Sequence, residues 1–364
     1  MKKILLTQIL LVNFIFSYSQ NQSEKNTKIS GIVYSEYFCN VQRDTNFQSI
    51  TNKVATGEEN VHGIAIKRIY FTYDNKISSK LFSRFRLESD DANFTSNTKS
   101  QANKFGVFIK DAYLKINYFG QHSLIVGIQP TPAYEIAEKI WGYRFVEKTI
   151  LDWRGIVSSR DMGVALDGSI DTLGKFKYTI LYGNGAASTP EKDKYKKFYG
   201  SLNINPVSNF FLTIYSDYQF KSSIINKYDS TKSLNNDSYI VGGFIGYKVP
   251  DKYMIGIESY FIQLMNFYDN GTVLSNQNGL VFSAYGSLNI SKPFAFYGRF
   301  DYYEPNTNKN AKGDKRNSII AGLSYKTFDK LYISPNVFIE TYEKKNGVQP
   351  KSSLTYRLSI SYDF

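Results

Sequence analysis

From Ile29 to Phe364 the sequence repeats one pattern: stretches of roughly 10 to 14 residues in which apolar Tyr, Phe, Ile and Val alternate with polar residues, each bounded by Gly, Asn, Asp, Ser or Pro. The segment RLSISYDF at 357–364 is a clear case, with Leu358, Ile360, Tyr362 and Phe364 interleaved with Ser359, Ser361 and Asp363. A period of two places these sets on opposite faces of a strand. Sixteen such strands are expected, near 29–39, 61–73, 78–90, 105–118, 122–130, 160–170, 174–184, 196–206, 208–221, 237–249, 251–266, 279–290, 293–303, 317–326, 330–341 and 351–364.

The connections alternate between short and long. Tight turns are expected at 74–77, 119–121, 171–173, 207, 250, 291–292 and 328–329. Long polar loops are expected at 40–60, 91–104, 131–159, 185–195, 222–236, 267–278, 304–316 and 342–350. An even number of antiparallel strands with all short turns at one end is the layout of a transmembrane β-barrel, with short periplasmic turns and long extracellular loops. A soluble sandwich mixes its loop lengths. The amino end, MKKILLTQILLVNFIFSYSQ, has Lys2 and Lys3 before an apolar run from Ile4 to Phe16 and small residues at Ser17 and Ser19. It reads as a secretory signal peptide at 1–19, followed by one domain at 20–364. Beyond it no run approaches the ~18 apolar residues of a transmembrane helix. Cys39 is the sole cysteine and forms no intrachain disulfide.

The apolar faces are assigned to lipid and the polar faces to a water-filled lumen. Outward sets include Leu354, Tyr356, Leu358 and Ile360, and also Tyr239, Val241 and Ile245; Tyr73, Tyr118, Tyr253 and Phe294 fit interfacial girdles. The candidate lumen holds Arg68, Tyr70, Arg84, Arg86, Glu88, Asp111 and Lys115 on the second to fourth strands, with Arg299, Asp301, Glu340 and Arg357 further round. The plainer reading is that inward charges pair with one another, as Arg299 with Asp301. Arg68, Arg84 and Arg86 resist it, because adjacent like charges require something anionic or water-rich opposite them.

The segment at 131–159 carries both tryptophans, Trp141 and Trp153, and is too apolar for a solvated loop. Within it AYEIAEKIW at 133–141 reads as one or two helical turns, and a long ordered loop of this kind is normally functional. It is expected to fold into the barrel and narrow it. In this layout, with an exported basic chain and a final Phe, the sequence resembles the Gram-negative porins, and among them the Bacteroidetes porins similar to the phosphate-selective porin O and P family. The resemblance implies that the loop forms a constriction facing a basic cluster on the wall, that the barrel-assembly machinery reads the final aromatic strand, and that the chain forms a homotrimer. The matching cluster is Arg68, Arg84, Arg86, Lys115, Arg299 and Arg357, and the constriction residues are Glu135, Glu138, Arg144, Lys148, Asp152 and Arg154. The loop departs from the pattern in being balanced in charge, since Glu147 and Lys139 also lie in it.

Catalysis has little to work with. His62 and His122 are the only histidines and belong at opposite rims, so no shared metal site is expected. No nucleophile elbow occurs, and GNGAAS at 183–188 opens no helix and reads as a turn. Asp90 with Asp91, or Asp269 with Asn270, is too sparse for Ca²⁺. The expectation is a non-enzymatic outer-membrane channel without cofactor or metal, embedded in lipid and passing small hydrophilic solutes. The inward Arg and Lys bias it toward anions, the resemblance implies phosphate or a similar ion, and nucleic acid is not an expected partner. The alternative is a structural or adhesive barrel with an occluded lumen and partner-binding loops.

Overall fold

The computed structural model describes residues 26–44, 58–90 and 106–364. The expected leader at 1–19 and Asp91 lie outside them. Among the described residues the strands are β1 (Thr27–Gln42), β2 (His62–Lys76), β3 (Leu81–Asp90), β4 (Phe108–Phe119), β5 (His122–Pro130), β6 (Arg160–Ser169), β7 (Phe176–Gly183), β8 (Lys197–Ile204), β9 (Phe210–Gln219), β10 (Ile224–Asn226), β11 (Asp229–Leu234), β12 (Ser238–Val249), β13 (Tyr253–Asp269), β14 (Leu274–Asn289), β15 (Phe294–Glu304), β16 (Arg316–Phe328), β17 (Leu331–Tyr342) and β18 (Ser353–Asp363). Two short helices, α1 (Glu135–Trp141) and α2 (Ile150–Trp153), lie between β5 and β6. β10 and β11 pair only with each other; the other sixteen strands close into one antiparallel barrel, as the sequence pattern predicts.

Closure follows from solvent physics, because hydrocarbon offers an open strand edge no hydrogen-bond partner. The seam is β1 against β18, in register from Ile32 opposite Asp363 to Asn40 opposite Thr355. Two further bonds extend it: Gly31 N–H donates to the Phe364 carbonyl and Phe364 N–H to the Gly31 carbonyl, both at 2.9 Å. RLSISYDF is therefore held between two strands, β1 and β17.

The two faces divide as expected. On β18 Tyr356 is 55% exposed while its neighbour Arg357 is 4% exposed. Phe71, Phe85, Val126, Val164, Ile214 and Ile257 continue the apolar outer surface, a continuous area that suits hydrocarbon rather than water.

Two expected loops are partly strand. The segment 222–236 contains the β10–β11 hairpin, and 267–278 is a tight turn, because β13 and β14 run on to Asp269 and from Leu274. Strand extensions beyond the lipid are wetted on both faces, so they lose the apolar alternation that marks the rest.

Bulges change the face count in two places. Pairing skips Lys67 between Tyr34–Arg68 and Ser35–Ile66, and skips Lys110 between Arg86–Asp111 and Leu87–Ile109. An extra residue on one strand breaks the alternation and re-aims a side chain. Lys67 therefore points inward beside Arg68, and Lys110 beside Asp111, each toward an acidic partner described below.

Candidate functional site

The loop at 131–159 turns into the barrel. Its base is closed by Thr131, whose N–H donates to the Ser159 carbonyl at 3.3 Å and whose hydroxyl donates to the Ser158 carbonyl at 2.6 Å. α1 then carries the chain across. It ends at Gly142, whose φ of 71° is the left-handed conformation a glycine adopts without strain.

Trp141 is fully buried, with Tyr285 and Tyr297 edge-on at 5.1 and 5.8 Å between ring centroids. Its indole N–H donates to the Glu147 carbonyl at 2.9 Å. Trp153 meets Phe338 edge-on at 5.6 Å, and the Tyr285 hydroxyl donates to the Ala137 carbonyl at 3.1 Å. The loop's apolar residues form one buried cluster with inward side chains from β6 round to β17, among them Ala165, Tyr215, Phe244, Tyr260 and Phe338. Its hydrophobicity is thus explained: it is the core of the barrel's interior on that side. The expected wholly polar lumen needs correction here, because these strands present apolar residues to both lipid and loop.

The six wall cations are all inside and all paired. They split into two groups. Arg68, Arg299 and Arg357 are buried against Glu88 at 3.3 Å, Asp301 at 2.8 Å and Glu147 at 3.4 Å. Arg84, Arg86 and Lys115 keep 26%, 22% and 32% of their side-chain surface and pair with Asp74 at 2.7 Å, Asp111 at 3.4 Å and Asp167 at 2.9 Å. The anionic partner demanded by three adjacent arginines is therefore the wall itself, without any ligand. Solvent reaches the β3–β4 cations and not Arg68, Arg299 or Arg357.

Four of the loop's expected charges form a chain. Arg144 holds Glu138 at 2.7 Å and Asp152 at 2.9 Å, donates to the Tyr70 hydroxyl at 2.7 Å, and shares Asp152 with Lys148 at 3.5 Å. Arg154 is separate: it donates to Glu340 and to the Ser318 hydroxyl, both at 2.7 Å. Glu135 lies exposed on the first turn of α1, outside both groups.

Alternation misses the bulged lysines. Lys67 donates to the Val146 carbonyl at 3.0 Å and pairs with Glu147 at 3.7 Å, while Lys110 binds Glu88 at 2.6 Å and the Ser159 hydroxyl at 2.8 Å. Arg160, at the start of β6, pairs with Asp111.

Burial pushes the Glu147 carboxyl up, but Lys67, Arg357 and Arg299 overcome it and hold the group below the usual carboxylate range. Asp152 behaves alike, with Lys148 and Arg144 outweighing burial. Both folded values are depressed, so their contribution to docking is complete above the free carboxylate range, about 4, and is lost as pH falls through the folded values. Tryptophan fluorescence reads this directly, since both tryptophans are in the loop. The emission maximum should hold constant from about pH 8 to 5 and shift red only in stronger acid. A red shift already under way between pH 6 and 5 would show that these two carboxylates do not anchor the loop.

The remaining motifs are structural. His62 bonds Tyr37 at 3.1 Å and His122 bonds Tyr178 at 3.0 Å, at opposite ends of the barrel. In GNGAAS the Gly185 N–H donates to the Asp161 carboxylate at 2.8 Å, so an internal anion already occupies that turn. Asp269 pairs with Lys227 at 2.7 Å. Among the described residues no group of three His, Cys, Asp or Glu is placed to hold a metal ion.

A barrel of sixteen strands with an inserted loop after the fifth is the fold of the outer-membrane porins. No protein-family model and no curated protein matches the sequence. Solved structures do match in fold. OmpT of Vibrio cholerae aligns at 13% identity over 94% of this chain and 99% of its own, with a TM-score of 0.61. The anion-selective porin of Comamonas acidovorans aligns at 10% identity over 94% and 100%, TM-score 0.61, and the outer-membrane channel DcaP of Acinetobacter baumannii at 10% over 93% and 97%, TM-score 0.66. At these identities the likeness is one of fold.

Proposed function

We propose that this protein is an outer-membrane channel for passive diffusion of small hydrophilic solutes, exported by the leader at 1–19. The observation that carries the reading is the asymmetry of the lumen. The loop is packed against the wall from β6 to β17, while Arg84, Arg86 and Lys115 on β3 and β4 keep contact with solvent. Solute passes along that wall.

An anion preference follows from charge counts around the passage. Arg68, Arg84, Arg86, Lys110, Lys115 and Arg160 face Asp74, Glu88, Asp90, Asp111 and Asp167, so six cations stand against five carboxylates. Rings of paired charge with a net positive excess favour anions without the affinity of bare arginines. Phosphate and similar ions belong to this reading through the resemblance to the O and P porins. A trimeric assembly does so too, supported by an OmpT of V. cholerae described in trimer form.

Reversal potentials in planar bilayers under a KCl gradient test the proposal. The unmodified protein should prefer chloride, and Arg84→Gln/Arg86→Gln/Lys115→Gln should lose that preference or invert it. Cation preference in the unmodified protein would overturn the anion bias. Absence of any conductance would overturn the channel and leave the occluded, adhesive barrel, a reading favoured by full burial of Trp141, Ile150 and Leu151 against the wall.

A further inference from the structure

At the end with the short turns, the loop forms the floor of a cavity of 580 Å³. The proposed channel orientation places this mouth in the periplasm. The floor is aromatic and continuous: Trp141 and Tyr143 lie 5.3 Å apart between centroids, Tyr143 and Phe145 6.3 Å, Phe145 and Tyr34 6.4 Å, and Phe145 and Tyr332 6.1 Å. Tyr34, Tyr143 and Tyr332 are only partly buried, so ring surface faces the cavity.

The rim is cationic in a way the lumen is not. Lys248, Lys252 and Lys292 line it, and among the described residues none of them has an ion pair, whereas every wall cation named above has one. A fourth lysine, Lys326, is held by Asp329 at 3.1 Å, a carboxylate with 96% of its side-chain surface exposed. The carboxylates lining the cavity are Asp251 and Asp363. Three ammonium groups without an ion pair thus stand over an aromatic floor beside two acids.

We propose that this vestibule is a binding site for small aromatic carboxylates. A bare inorganic ion uses only the lysines. A ligand with a planar apolar body also covers the tyrosine and phenylalanine surface, and a space of this size suits one small organic molecule with a few placed polar groups. The ring would stack on the Tyr143–Phe145–Tyr332 surface while the carboxylate met Lys248 and Lys292, in charge-assisted contacts. The site rests on the channel reading for its periplasmic placement, but binding there does not require conduction.

Calorimetry on the full chain folded in detergent separates the two. Sodium benzoate, sodium acetate and inorganic phosphate are titrated in turn. Benzoate is expected to bind, and acetate and phosphate to bind about tenfold more weakly. Lys248→Gln/Lys292→Gln should weaken benzoate by about tenfold. The single change Lys252→Gln, at an exposed turn, should weaken it less and leaves folding intact. Arg84→Gln/Arg86→Gln, on the far wall, should leave benzoate unaffected. Equal affinity for benzoate and acetate, tighter phosphate than benzoate, or an unaltered affinity in the double lysine variant would each overturn the assignment. A conducting protein with any of those results loses the site and keeps the channel. A non-conducting one that binds benzoate as expected keeps the site.

Discussion

Arg154→Ala should release the far end of the inserted loop, raise single-channel conductance and shift the tryptophan emission to the red. Arg154 and Glu340 retain 2% and 0% of their side-chain surface and meet at 2.7 Å. The guanidinium also donates to Ser318 and lies over the Trp153 ring, 3.8 Å from its centroid, with Tyr303 at 5.4 Å. Removing one partner of a buried pair is destabilising, and losing the Glu340 and Ser318 contacts together with the stacking on Trp153 is expected to cost about 3 kcal/mol. Glu340 keeps the Tyr342 hydroxyl at 3.2 Å and the nearby Arg43 charge, which hold the carboxylate to the wall while the loop loses its own contact.

The barrel itself is held by strand ladders, so the cost falls on the loop. The cheapest relief is for Trp153 and its neighbours to leave Phe338 and let water reach Glu340. Arg154→Lys keeps the charge but loses the two-pronged contact and the stacking, and should give an intermediate conductance. If Arg154→Ala leaves both conductance and emission unchanged while only lowering thermal stability, the pair is a wall fixture and the loop is held elsewhere.

Much of this fold is legible in the sequence, and the reason is period two. On β18 and β6 every second residue meets lipid, so the pattern marks the strands, and a barrel has no edges at which the pattern has to be broken. The same logic places Arg68, Arg84, Arg86, Lys115, Arg299 and Arg357 inside. It stops where the geometry is not periodic. Nothing in the residues at Lys67 or Lys110 announces a bulge, so the two lysines that grip the loop and its base are invisible to alternation. Partners such as Arg357 and Glu147 are far apart in the chain, and only the docked loop brings them within 3.4 Å.

The apolar inner wall was partly readable. Ile240 beside Val241 and Ile320 beside Ile319 put apolar residues on both faces of a strand, which a water-filled lumen does not require. Those positions, with the two tryptophans, record that something apolar packs within the barrel. The pairing of charges was less readable, because a strand pattern gives the face of a side chain but not its neighbour.

The barrel's seam offers the sharpest test of closure. On the lipid face the Phe364 ring lies over Gly31, and a Cβ added at Gly31 would stand 2.0 Å from the tip of the ring. An aromatic ring covering a glycine on the neighbouring strand shields backbone that lipid cannot hydrogen-bond and fixes the register. Gly31→Val forces the ring aside and should destabilise the barrel by about 1–3 kcal/mol, the usual cost of overpacking. It should lower the temperature at which the folded protein loses its compact mobility on an SDS gel. Phe364→Ala uncovers the glycine and should lower that temperature too. In the double variant the valine occupies space the ring has left, so the combined loss should be smaller than the sum, with a coupling of about 0.5–3 kcal/mol expected for residues in contact. Strict additivity would mean that ring and glycine do not act on one another, and that the backbone ladder between β1 and β18 closes the seam without the ring.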